Sequence, residues 1–145
     1  MEDIIQEKIS ADHLLYVSLK YTKTCDVIMN LLLRWRKMID STIKGLLSKE
    51  QKNKVIDSVS ENAIGRIKQM KEIFKNDENI LETVDFFMML RKLEGLKTER
   101  IGEFRKNVAL KIYFRGGEVL VNLEKLKIYA EMLEKFINTT KSILL

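Results

Sequence analysis

From Leu14 to Leu46 apolar side chains recur in steps of three and four: Leu14, Val17, Tyr21, Cys25, Ile28, Leu32, Trp35, Ile39, Ile43 and Leu46. That period places them on one stripe of an α-helix. The chain has no proline, and no glycine interrupts this stretch before Gly45. Local chemistry therefore permits one helix over residues 10–47, capped by Ser10. At 1.5 Å per residue such a rod spans about 57 Å. A compact domain of this length has a diameter of roughly 38 Å. The rod would overhang its own domain, so either it bends or a partner covers the projecting stripe, and the partner is preferred.

A second helix is expected from near Ser48, with Glu50 or Gln51 close to a capping-box position and a stripe of Val55, Val59, Ile64, Ile67, Met70 and Phe74. Lys75–Asn79 reads as a turn. Asp77 then caps a third helix carrying Ile80, Leu81, Val84, the run Phe86-Phe87-Met88-Met89-Leu90, and Leu93. From Val108 the period changes to two: Val108, Leu110, Ile112 and Phe114 alternate with Ala109, Lys111 and Tyr113. Gly116-Gly117 supplies a tight loop, so the chain can fold back with Ile112 opposite Val121, Phe114 opposite Val119 and Arg115 opposite Glu118. A helical reading competes, because Ile101, Phe104, Val108 and Ile112 also fit a helix ended by the two glycines. Alternation, β-branching and turn chemistry favour the hairpin. Asn122 caps the last helix, with Val121 and Leu126 as a hydrophobic staple. The fold class that follows is mainly α: a single domain, residues 1–145, built as a bundle of about four helices with a long first helix and a β-hairpin at about 108–121 before the C-terminal helix.

Composition narrows the class of protein. Hydrophobic residues at 46% and charged residues at 32% describe a globular chain rather than a disordered one. Cys25 is the single cysteine, so no disulfide can form within the chain. The apolar runs are far shorter than a membrane span of about 20 residues. The opening MEDIIQEKIS is acidic and does not read as a signal peptide. A cytoplasmic protein without a membrane partner is the expectation. The formal charge of +5 is diffuse, with no basic tail and no block of like charge.

Five apolar residues in a row surround most of a helix, which points to burial on most sides. With the overhanging rod, this marks Trp35, Phe86, Phe87, Met88 and Met89 as an oligomer interface, most simply of a two-fold homodimer. Tyr16, Lys20, Lys23, Asn30, Arg34 and Lys37 fall along one heptad-spaced stripe, where basic groups could follow phosphates and Tyr16 could stack on a base. Ser18, Thr22 and Asp26, spaced by four, form a polar patch on one flank. His13 is the single histidine and Asp12 beside it points about 100° away on a helix, so no base-and-orienter pair is read there. One His and one Cys exclude an ordinary zinc site within one chain. Glu78, Glu82 and Asp85 share a helix face near a positive helix end. No phosphate-binding loop, dinucleotide fingerprint or nucleophile elbow occurs, so neither catalytic residues nor a cofactor nor a metal is assigned.

The bundle layout is similar to that of HEPN-type ribonucleases, which rely on an Arg followed a few residues later by a His. No histidine follows residue 13 here, so Arg91, Arg100 and Arg105 lack that partner. The similarity is one of layout and implies no such chemistry. The first functional expectation is thus a non-enzymatic, self-associating interaction or scaffolding module. RNA binding by the basic stripe is the alternative, and an enzyme with an unrecognised site near Asp26 stands third.

Overall fold

The computed structural model describes residues Met1–Leu145. Helix α1 (Glu2–His13) runs through a π-helical turn (Leu14–Ser18) and one further turn (Leu19–Tyr21), and there it stops. Thr24 is extended, at φ −120° and ψ 154°, and helix α2 (Cys25–Lys52) restarts beyond it and packs back along α1. The single helix expected over 10–47 is therefore two antiparallel pieces, and Ser10 is internal to α1 rather than its cap. The break has a chemical cause. A Thr favours the N-cap over the helix interior, and the Thr24 hydroxyl accepts from the Val27 amide at 3.3 Å. The overhang disappears with the break, because α1 covers the face of α2 that would have projected.

Breaking the helix also changes which residues face inward. Ile4, Ala11, Leu15 and Leu19 are buried, whereas Val17 and Tyr21 of the expected stripe are exposed. Steps of four drift by about 40° each in an α-helix. The wider π turn at Leu14–Ser18 lets Ala11, Leu15 and Leu19 stay on one face. From Cys25 onward the expected stripe is buried throughout.

Helix α2 passes straight through Gly45 and ends at Asn53, so the helix expected to start near Ser48 is the tail of this one. Helix α3 (Ala63–Ile73) begins later, capped by Asn62. Helix α4 (Glu78–Arg91) is capped by Asp77, and helix α5 (Leu123–Leu144) by Asn122, both as the sequence implies. Between them lies an antiparallel sheet of strands β1 (Thr98–Ile101), β2 (Ala109–Phe114) and β3 (Gly117–Asn122), in that order. The hairpin before the last helix is present; β1 is an addition that the sequence pattern does not announce.

The hairpin register is shifted by two from the expectation: Ile112 faces Val119 and Phe114 faces Gly117. Arg115 and Gly116 form the loop, with φ of 53° and 74°, so a non-glycine takes the first left-handed position. A shift of two preserves which side chains share a face. Arg115 no longer opposes Glu118; Lys111 meets it instead at 3.6 Å.

Trp35, Phe86, Phe87 and Met89 all belong to the one hydrophobic core, and Met88 packs half-buried against it. The Trp35 ring lies edge-on to Phe86 and Tyr129 at 6.1 and 6.3 Å. Burial on most sides, as the apolar run requires, is thus met inside one chain. No helix is long and apolar enough to cross a membrane.

Candidate nucleic-acid interface

The end of the molecule at the α1–α2 break is held together by the β1–β2 loop. The Glu103 carboxylate accepts from the first amide of α2, Cys25 N–H, at 3.1 and 3.4 Å. Phe104 N–H donates to the Lys23 carbonyl at 2.6 Å. Gly102 has φ +62°, and a Cβ there would lie 2.6 Å from the Asn107 side chain, so the loop closes too tightly for another residue. Phe104 itself sits at φ 66°, a strained conformation for an aromatic residue, and is 76% exposed. Cys25 is buried, and its thiol donates to the Ala109 carbonyl at 3.2 Å. Burial pushes that thiol up to about 11, with the Glu103 carboxylate adding to the shift, so it remains protonated and unreactive near neutrality.

Beside this junction lies a groove of about 280 Å³. Its floor is Leu15, Leu19 and Leu123, and its walls are Tyr16, Lys20, Lys23 and Lys127. No carboxylate lines it. Lys23 Nζ donates to the Lys20 carbonyl at 2.7 Å, and Lys20 Nζ lies 5.8 Å from the Tyr21 ring centre. None of Lys20, Lys23, Lys127, Arg105 and Lys106 takes part in an ion pair. Leu123 also lines a neighbouring hollow with Lys106, Asn107, Leu120 and Glu124, the last of which forms no ion pair, and this hollow links the groove to the β1–β2 loop.

The basic stripe read from sequence is therefore divided. Tyr16, Lys20 and Lys23 stay together in the groove. Asn30, Arg34 and Lys37 lie on α2 beyond the break, where they line a separate hollow with Leu14 and Leu33. There Glu7 of α1 neutralises the cations, 3.6 Å from Arg34 and 3.0 Å from Lys37. That half of the stripe presents a salt-bridged face rather than free charge.

The polar patch does not form one flank. Ser18 belongs to the π turn and accepts the Thr22 amide through its carbonyl at 2.8 Å. Thr22 is in the break. Asp26 opens α2 and pairs with Arg100 of β1 at 2.5 Å, both side chains largely in solvent. His13 is exposed, and no group of three or more His, Cys, Asp or Glu side chains is placed to hold a metal. Glu78, Glu82 and Asp85 separate in role: Glu78 is in the first turn of α4, whereas Asp85 pairs with Lys71 at 3.2 Å.

The residues missed by sequence reasoning are Tyr21, Phe104, Arg105, Lys106 and Lys127. A signal for three of them stood in Phe104-Arg105-Lys106, an aromatic next to two cations shortly after Gly102. Lys127 gave none, since only the fold brings the first turns of α5 beside Leu15 and Leu19 at the groove. Compared with known protein families, curated proteins and solved structures, the chain matches none.

Proposed function

We propose that the chain is a non-enzymatic protein that binds single-stranded nucleic acid at the α1–α2 break. One observation carries this reading. The three aromatic side chains among the exposed large hydrophobics, Tyr16, Tyr21 and Phe104, all stand at this end, beside cations that no carboxylate neutralises. Phosphates need unpaired cations, and unpaired bases need exposed rings on which to stack. A groove suits a strand better than a bilayer, which is flat at this scale and would leave the Lys20 and Lys23 walls unfilled.

The self-associating module expected first drew on the overhanging helix and on the apolar run of α4. With the break in place neither asks for a second copy, so the alternative moves ahead of it.

Fluorescence anisotropy with a labelled strand of about twelve nucleotides tests the proposal. Five free cations predict a log–log salt slope near −3.5, at about 0.7 per phosphate contact for a single strand. The Lys20→Glu/Lys23→Glu/Lys127→Glu variant is expected to lose binding. Arg34→Gln is expected to keep it within about twofold, since Glu7 already occupies that cation. Absence of binding at 50 mM salt, roughly the low end of the useful range, overturns the reading. So does an equal loss in Arg34→Gln.

A further inference from the structure

Away from the break, α4 and α5 border an open groove of about 430 Å³, lined by six hydrophobic and four charged residues and reaching Phe114 and Arg115 at the β2–β3 turn. That volume falls within the range of small-molecule sites. Phe86 and Tyr129 stack at its centre, with ring centres 4.1 Å apart and planes 21° from parallel. Met89 and Met132 line it further, and Phe114 and Ile128 stand at its rim, where Ile128 is 52% exposed. Burial here pushes the Tyr129 phenol up to about 12, which is what a poorly hydrated wall does to an acid.

The charges at the rim are sorted along its length. Asn79 of α4 donates to the Met132 carbonyl at 3.0 Å at one end, and Arg115 reaches the Met88 sulfur at 3.7 Å at the other. Asn79 meets Met132 while Phe86 meets Tyr129, so the two helices run antiparallel along the groove. Glu82, one turn before Phe86, lies towards Met132, and Asp85 is engaged by Lys71 at 3.2 Å. Arg115 and Lys125 lie at the opposite end. Neither forms an ion pair; each rests over a ring of the wall, Arg115 at 4.8 Å from Phe114 and Lys125 at 5.2 Å from Tyr129. Two cations without an ion-pair partner at one end of a groove walled by aromatic residues match a molecule with a flat apolar body and one anionic head.

We infer that this groove binds an aromatic carboxylate, its ring against Tyr129, Ile128 and Met132 and its carboxylate between Arg115 and Lys125. The thioethers of Met89 and Met132 suit a planar π body, because sulfur packs favourably at ring edges. The site is independent of the nucleic-acid reading.

Trp35 is the single tryptophan and touches both rings of the floor, so its emission reports occupancy directly. The full chain is titrated with phenylbutyrate and, separately, with its uncharged amide. The expected result is a saturable change in Trp35 emission with the acid, and binding about tenfold weaker for the amide. Lys125→Gln, and Arg115→Asn, which keeps a residue tolerant of the turn's left-handed φ, are each expected to weaken the acid about tenfold and leave the amide unchanged. Overturning results are no saturable change up to millimolar acid, equal affinity for acid and amide, or unchanged acid binding in both variants.

Discussion

Glu103 closes the N-terminus of a 28-residue helix from 78 positions away in sequence, and its removal has a calculable effect. Two groups serve two different amides at that terminus. The Thr24 hydroxyl takes Val27 N–H at a long 3.3 Å, and the Glu103 carboxylate takes Cys25 N–H at 3.1 Å. Glu103→Gln keeps an acceptor and loses the charge facing the helix dipole, for about 1 kcal/mol. The Arg100 contact adds little, being 3.7 Å long and half in solvent. Glu103→Ala also leaves the Cys25 amide without a partner, which raises the loss to about 2 kcal/mol. Thr24→Ala is expected at the low end of the capping range, about 0.5–1 kcal/mol. Urea unfolding followed by circular dichroism reads these directly. With m of about 2 kcal/mol/M, Glu103→Ala should lower the midpoint by about 1 M and leave m unchanged. An alanine variant within about 0.5 kcal/mol of the parent would show that the helix end is satisfied by water and that the loop does not cap it.

Cys25 should be inert towards thiol reagents in the folded state. With the thiol moved from 9.0 to about 11, its native thiolate fraction at pH 8 is about a hundredfold below that of the unfolded chain. Because the unfolded thiol ionises first, stability contributed by the buried thiol is intact below pH 9.0 and declines as pH rises towards about 11. Cys25→Ala should flatten that decline, and rapid labelling of the folded protein at pH 8 would contradict the burial. Light scattering with size exclusion at low micromolar concentration is expected to return a particle of 17.0 kDa, one chain. A mass that doubles with concentration would restore the case for a homodimer.

Where one residue type decides an outcome locally, the sequence was transparent. Asp77 and Asn122 stand just ahead of the apolar periodic residues of α4 and α5 and cap those helices as their side chains imply. The β2–β3 hairpin was legible from alternation, but its register was not, because Arg115 accepts a left-handed φ that the neighbouring Gly117 seemed better suited to supply. The expected end of the long helix just beyond Gly45 is too early: Gly45 lies in mid-helix against Leu144 of α5, within ordinary contact of any Cβ placed there. A break near Thr22–Thr24 is not the preferred reading of the sequence because apolar spacing continues across it. Two inward sets fit the sequence before the break, Val17 with Tyr21 or Leu15 with Leu19. Only the return of α1 along α2 selects the second. The same ambiguity explains the candidate site. Tyr16, Lys20 and Lys23 share a groove because they precede the break, and Arg34 and Lys37 are lost to it because α1 brings Glu7 across.

The loop that bridges Lys23 and Cys25 has a consequence for how the chain comes together. The Thr24 hydroxyl serves the start of α2 from the adjoining residue, whereas the Cys25 amide gains its carboxylate only where the β1–β2 loop is closed, so helix cap and sheet reinforce each other. Loss of strand β1 would reach the longest helix without touching any residue in it.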